Sequence, residues 1–301
     1  MKRVVVTGAN GFIGRSLIRR LIEKRVEVIA VDLSFDESSF PESPFVTKVI
    51  TSIDEHLTEK IPLSIYDAFY HFAWRGVNGP DKTSPQIQLE NIQMAFHCAE
   101  ACHQLGCAKF LAAGTVAENA VLSLPFLTQT NAGMMYGMAK HSCHVMLETY
   151  CKNIGLPFVW MQFSNIYGPG NLTGNLISYT LTALCRNQEA TFGPALQPYD
   201  FIYVDDLLEA IIRIGAKKTS HSTYFIGSGT PHILREYLVR VGELTSCPEK
   251  IRFNVRPDDG VRYELSMFDT TPLRLDIGEY VSHTFDEGVV KTYQWLKNAG
   301  G

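Results

Sequence analysis

The chain has 301 residues, 46% of them apolar, so one small domain is excluded and a large α/β unit or two lobes is predicted. With 27 basic against 31 acidic side chains its formal charge is −4, which gives no reason to expect a nucleic acid or an anionic membrane as partner. No apolar run approaches the roughly 20 residues that cross a bilayer, and Met1 leads straight into Val4–Val6 without room for a signal peptide, so a cytoplasmic location is expected.

In chain order, Val4–Thr7 is the first strand-like run. Gly8-Ala9-Asn10-Gly11-Phe12-Ile13-Gly14 follows it and opens a helical pattern over Phe12–Lys24. Glycines three apart let the backbone turn sharply and approach a pyrophosphate, toward which a helix start presents N–H groups and the positive end of its dipole. The second strand, Val26–Val31, runs into Asp32, 18 residues beyond Gly14. A carboxylate there accepts hydrogen bonds from the adenosine ribose and repels a 2′-phosphate, so NAD is expected rather than NADP. The plainer alternative is a tight turn followed by a surface Asp.

Phe45–Ile50, Ala68–Phe72, Lys109–Ala113 and Phe158–Phe163 read as further strands, with helical patterns over Pro85–Leu105 and Met135–Asn153. Several strands are apolar on both faces, as a parallel sheet covered by helices requires. The alternation predicts an α/β fold, a doubly wound (Rossmann) parallel sheet. The seven cysteines include no Cys-x-x-Cys pair and are read as reduced thiols. Two groups, His97, Cys98, Cys102, His103 and His141, Cys143, His144, lack the paired spacing of a zinc module, so no metal is expected.

Tyr136 and Lys140 stand i and i+4 on the second long helix and share a face. A nearby ammonium and a positive nicotinamide favour tyrosinate, letting Tyr136 accept a hydroxyl proton or, in reverse, give one to a carbonyl oxygen. Thr115 falls just past a predicted strand, where open α/β sheets place their ligands. The alternatives are an aromatic core residue beside a solvated lysine, and a threonine that caps a turn.

After Phe163 the rhythm changes. Residues 165–174 are rich in Gly, Pro and Asn and read as a loop, followed by a helix over about 175–187, the segment Asp200–Val204 and a strand at Thr223–Ile226. From Thr230 onward shorter and less regular elements are expected. Residues 1–165 with about 204–229 are assigned to the dinucleotide domain, and about 166–203 with 230–301 to a smaller C-terminal substrate lobe.

Several segments occur in a shared order: Thr7-Gly-x-x-Gly-x-x-Gly14, His71-Phe72-Ala73-Trp74, Asn91, Tyr136-x-x-x-Lys140, Asn165-Ile-Tyr-Gly-Pro-Gly170 and Asp200-Phe-Ile-Tyr-Val-Asp-Asp206. Along nearly the whole chain they resemble the extended short-chain dehydrogenase/reductase family, whose members include NAD-dependent epimerases and dehydratases of nucleotide-linked sugars. The resemblance implies a catalytic set of Thr115, Tyr136 and Lys140, with Lys140 also holding the nicotinamide ribose. It implies NAD contacts along Gly8, Asn10, Gly11, Phe12, Ile13, Gly14 and Asp32, then Ser52, Ile53, Phe72, Ala73, Trp74, Asn91, Ala113, Phe163 and Ile166. Asn91 matches a helix asparagine with a mainly structural role.

On the substrate side, Asn165, Asn175 and Leu176 resemble residues that hold the nucleotide, and Phe192 one that packs on the base. Arg256 opens a segment, running to Tyr263, that resembles the diphosphate clamp. An arginine fork suits phosphate oxygens, and a surface salt bridge is the competing reading. Many relatives have an arginine before Asp200, where this chain has Tyr199; Arg75 or Arg262 would then compensate. Family dehydratases carry Asp-Glu after the threonine, whereas here Val116-Ala117 follow and Glu118 stands alone, which argues against dehydration; Glu118-Asn119 stand where relatives tend to have Tyr-Gly, which implies a different local loop. Three functions are weighed: a nucleotide-sugar epimerase acting at C4, a reductase of a 4-keto-6-deoxy nucleotide sugar, and a non-catalytic dinucleotide sensor. A homodimer through the two long helices is expected, on Leu89, Ile92, Phe96, Met138 and Met146.

Overall fold

The computed structural model describes residues 1–122, 133–258 and 260–299. The strands are β1 (Arg3–Thr7), β2 (Glu27–Asp32), β3 (Val46–Ile50), β4 (Ala68–His71), β5 (Phe110–Thr115), β6 (Phe158–Phe163), β7 (Asn165–Tyr167), β8 (Ala190–Thr191), β9 (Pro198–Tyr199), β10 (Phe201–Tyr203), β11 (Thr223–Ile226), β12 (His232–Ile233) and β13 (Ile251–Arg252). The helices are α1 (Phe12–Glu23), α2 (Leu57–Lys60), α3 (Pro85–Gln104), α4 (Ala117–Leu122), α5 (Gly133–Asn153), α6 (Leu176–Cys185), α7 (Val204–Ala216), α8 (Leu234–Leu244), α9 (Thr271–Ile277) and α10 (Phe285–Ala299). Among the described residues, seven strands form one parallel sheet in the order β11-β6-β5-β4-β1-β2-β3.

The period-2 alternation of side chains sorts each strand between two cores. On β1, Val4 and Val6 join Leu17, Ile18 and Leu21 of α1, whereas Val5 joins Phe69, Phe110, Cys98 of α3 and Leu147 of α5 on the other face. All these positions are buried, which explains the near-continuous apolar runs in the sequence. Helix α1 buries Gly14, Leu17, Ile18 and Leu21, one face of a 3.6-residue period. Helix α3 starts where Ser84 accepts the Ile87 N–H and Pro85 occupies the first turn.

Since β1 lies between β2 and β4, the strand order reverses at β1, and a crevice opens there at the carboxyl ends of the strands. Beyond β6 the chain builds small pairs outside the main sheet: β7 with β10, β8 with β13, and β9 with β12. Two buried carboxylates tie these parts together. Asp200 accepts hydrogen bonds from the Ser164 hydroxyl and the Ser228 N–H, and Asp206 accepts the Ser282 N–H.

The structure departs from the sequence reading in four places. Asn165–Tyr167, read as the start of a loop, form β7, because they pair with β10 some 36 residues later, a contact no local pattern marks. Strand β5 continues through Gly114 to Thr115, so Thr115 ends the strand instead of following it. Helix α4 is six residues that short-range patterning does not reveal. The chain beyond Thr230 is also more regular than expected, with helices of 11 and 15 residues. Phe285, Val289, Tyr293 and Leu296 of α10 recur at helical spacing and pack on the core, a signal present in the sequence.

Candidate active site

The residues after β1 and β4 meet at the crevice. Gly8 has φ +68°, and a Cβ on it would lie 2.5 Å from the Ala73 nitrogen. Gly14 brings α1 close under the same turn: a Cβ there would sit 2.2 Å from the Gly8 carbonyl oxygen. Only glycine satisfies both approaches. No side chain caps α1, whose N-cap is Gly11, so its first N–H groups face the crevice for an anion.

A cavity of about 640 Å³ opens there, within the range of small-molecule sites. Gly8, Asn10, Gly11, Asp32, Ser52, Ile53, Phe72, Ala73, Trp74, Arg75 and Asn91 all line it. Leu33, Thr51, Asp54 and His97 line it too and were not singled out from sequence, because nothing local marks the residues past β2 and β3 as neighbours of α3. The Asp32 carboxylate accepts the Asn10 N–H at 2.8 Å and the Leu33 N–H at 2.8 Å, which fixes its orientation at the rim. Asn91 is buried and spends both amide ends on the Arg75 backbone, at 2.8 Å each, a structural role. Phe12 lies beside Gly170, 3.7 Å from a Cβ built there, and Ile13 packs against the core. This cradle, with its close backbone approaches and its carboxylate one strand away, fits a dinucleotide.

Trp74 links this cavity to Tyr136, their rings meeting edge-on at 6.3 Å. Burial raises the Tyr136 pKa above the ordinary tyrosine value; the nearby Thr115 side chain lowers it, and the Glu118 charge raises it again. The expected lowering by Lys140 is not found. Lys140, 4% exposed, donates instead to the Ala113 carbonyl at 2.6 Å and lies 3.6 Å from the centroid of the Trp74 ring. Burial pushes its ammonium down to about 8, while the neighbouring Cys143 and Glu118 act in the opposite direction. His71 bonds the Thr7 hydroxyl at 2.8 Å and is held neutral, its pKa pushed to about 3 by burial and then by the Lys140 charge.

The substrate-side residues divide. Leu176, Phe192 and Arg256 line a second cavity of about 250 Å³, together with Tyr179 and Tyr199. Arg256 donates to the Tyr179 hydroxyl at 2.9 Å and to the Thr191 hydroxyl at 3.0 Å. Burial raises the Tyr179 pKa, but the bonds from Thr191 and the Arg256 charge outweigh it and leave the phenol more acidic than usual. Asn175 caps α6 by accepting the Ser178 N–H and donates to the Ile166 carbonyl, so its side chain is used by the architecture. Asn165 donates to the Asp200 carbonyl at 3.2 Å, and Phe163 is buried behind Phe72. Arg75 pairs with Glu90 at 3.1 Å on the cofactor cavity, and Arg262 pairs with Asp258, which lines the second one beside Arg256. Within the Arg256–Tyr263 segment, Asp259 lies outside the described residues.

All seven cysteines are free thiols, five of them buried. Among the described residues one trio, Glu118, His141 and His144, brings possible ligand atoms within 4.8 Å of one another. Hydrogen bonds already occupy Glu118 and His144. No helix among the described residues is long and apolar enough to cross a membrane.

A family model described as the NAD dependent epimerase/dehydratase family matches residues 4–227. The UDP-glucose 4-epimerase of Mycolicibacterium smegmatis is 24% identical over 320 residues, covering 98% of this chain and 99% of its own. GDP-L-fucose synthase of Escherichia coli is 24% identical over 329 residues, covering 98% and 96% respectively. The crystal structure of Bordetella bronchiseptica WbmF in complex with NADH aligns with a TM-score of 0.81 at 25% identity, covering 99% of this chain and 92% of that one.

Proposed function

This chain belongs to the NAD dependent epimerase/dehydratase family, with NAD as its cofactor, and from that premise we propose that it is a nucleotide-sugar epimerase acting at C4. The observation that carries the reading is the placing of Tyr136 near Thr115 at the carboxyl end of β5, with the Tyr136 ring against the Trp74 ring that lines the cofactor cavity. A dinucleotide sensor needs no such pair. Val116 and Ala117 offer no acid or base after Thr115, and Glu118 is turned into the core, which argues against dehydration.

NAD supplies the acceptor and then the donor of a hydride at the sugar carbon. Thr115 bonds the reacting sugar oxygen and orients it toward Tyr136. Tyr136 takes the hydroxyl proton and returns it after the sugar turns over, and Lys140, one helical turn on, holds the nicotinamide ribose. Gly8, Gly11 and the start of α1 hold the pyrophosphate, and Asp32 the adenosine ribose. Leu176, Phe192 and Arg256 hold the nucleotide of the substrate. Residues 1–165 with about 204–229 serve the cofactor, and the remainder the sugar nucleotide.

One observation favours a second reading. Burial keeps the Tyr136 phenol protonated, the form that donates to a carbonyl oxygen, as a reductase of a 4-keto-6-deoxy nucleotide sugar requires. A single preparation separates the two. The protein is denatured and the released nucleotide quantified, while intact protein is incubated with a panel of UDP-, GDP- and dTDP-sugars and followed by NMR. Near-stoichiometric NAD with epimer formation is expected. Consumption of added NADH by keto sugars alone would establish the reductase, and no turnover on either panel would overturn both readings.

The proposal includes a cytoplasmic homodimer. Leu89 of α3 and Met138, Val145 and Met146 of α5 are exposed, while Ile92 and Phe96 pack partly into the core beneath them.

A further inference from the structure

Behind Thr115 lies a carboxylate that the mechanism above does not use. Glu118 of α4 is 1% exposed. It accepts the Thr115 backbone N–H at 2.7 Å, and both of its oxygens lie 3.1 Å from the Trp160 indole nitrogen of β6. Gly114 makes room for this socket, since a Cβ there would lie 2.2 Å from that nitrogen and 2.8 Å from Glu118 Oε1. His144 stacks on the same indole, its ring centroid 4.8 Å away, with Nδ1 3.5 Å from Glu118 Oε2. On the catalytic side the Lys140 Nζ lies 5.7 Å from the Trp160 ring centroid. A buried carboxylate and a buried lysine thus flank one indole.

We propose that Glu118 is a positioning residue, whose buried charge anchors the Thr115 backbone and serves as the counter-ion of the Lys140 ammonium. This rests on the reading of Thr115, Tyr136 and Lys140 as the acting set. The groups facing Lys140 are Glu118 from α4, Tyr136 and Cys143 from α5 and His71 from β4. Burial pushes the Cys143 thiol up to about 12, and His71 titrates at about 3, so both are neutral where Lys140 titrates. Tyr136 is protonated there as well. Facing Glu118 are His141 and His144, and Glu148 faces His144 at 3.8 Å. A buried ammonium without a nearby anion is disfavoured by desolvation, and an opposing charge restores it. Glu118 is the buried carboxylate placed to do so.

The test reads Lys140 directly. Protein labelled with 15N-lysine is titrated by NMR without added nucleotide, with the Lys140 signal assigned by its loss in Lys140→Met. Glu118→Gln keeps an acceptor for the Thr115 N–H but removes the charge. The Lys140 midpoint should fall by roughly one pH unit or more, and NAD affinity near pH 8 should drop severalfold more than at pH 6.5. Glu118→Asp, which retains the charge, should restore much of both. An unmoved midpoint in folded Glu118→Gln overturns the proposal. Should that variant fail to fold, Lys140→Met reads the same coupling from the other side, because the Glu118 midpoint must then rise by the same amount. An unmoved Glu118 is again fatal. Neither titration needs a substrate, so a null there leaves the proposed function standing. Absence of turnover on every nucleotide sugar sinks the function and leaves the charge coupling intact.

Discussion

At the scale of single residues, Tyr136, Lys140, Asp32 and His71 each carry a separable consequence. Tyr136→Phe keeps the ring against Trp74 and removes the oxygen, so turnover should fall by about 10²–10⁴-fold or more, with NAD affinity by calorimetry little changed. Lys140→Ala should lower both together, because its ammonium is assigned to the nicotinamide ribose and it braces the Trp74 ring that Tyr136 meets. For Asp32, whose carboxylate is fixed by the Asn10 and Leu33 N–H groups, NADP should bind at least ~1–3 kcal/mol more weakly than NAD. Equal binding of the two cofactors would contradict this. His71 gives a pH dependence. Its folded pKa of about 3 lies below the ordinary histidine value of 6.5, so the unfolded chain binds more protons between them. Stability is therefore full above about 6.5 and is lost as pH falls toward 3, with a slope of up to ~1.4 kcal/mol per pH unit from this one group. Urea unfolding at pH 6.5 and pH 5 should show the loss in the native protein and a shallower one in folded His71→Gln.

At the scale of elements, the β1–α1 turn holds the tightest backbone contact at the site. The atoms a Gly14 Cβ would meet are the Gly8 carbonyl oxygen at 2.2 Å and Ala9 backbone atoms at 2.8 Å, none of them able to swing aside like a side chain. Gly14→Ala should therefore displace the turn and weaken NAD binding at least tenfold while the sheet stays folded. Circular dichroism alongside cofactor titration checks both halves of that statement. The glycine spacing, the strand before it and the carboxylate after β2 were all legible in the sequence, because each depends on residues close along the chain. Strands β1 to β6 and helices α1, α3 and α5 were legible for the same reason. Helix α4 was not, since six residues cannot display a periodic face, although it carries Glu118 and Asn119 into the core. Arg256 read equally well as a diphosphate clamp or a surface ion pair. Its actual partners, Tyr179 and Thr191, stand 77 and 65 residues away.

At the scale of the whole molecule, α3 and α5 lie side by side on one face of the sheet and carry Leu89, Met138, Val145 and Met146 outward. A second copy of this chain pairing α3 and α5 would bury them in a four-helix interface. Light scattering at micromolar concentration should give twice 33.7 kDa, and Met146→Glu with Leu89→Glu should return the monomer. A wild-type protein of 33.7 kDa under those conditions would refute the pairing.

The sequence by itself determined the α/β architecture and the glycine turn with its following carboxylate, because hydrophobic period and glycine geometry are local properties that any fold must respect, and it offered Thr115, Tyr136 and Lys140 as a proposed set through the family resemblance. Tertiary structure alone decided how those groups are charged and shared. Only packing could bring Trp74 over Lys140, spend Asn175 on a helix cap, send Arg75 and Arg262 to separate ion pairs, and set Glu118 against Trp160, 42 residues away. Desolvation and Coulomb energy depend on what surrounds a group in space, which spacing along the chain does not contain.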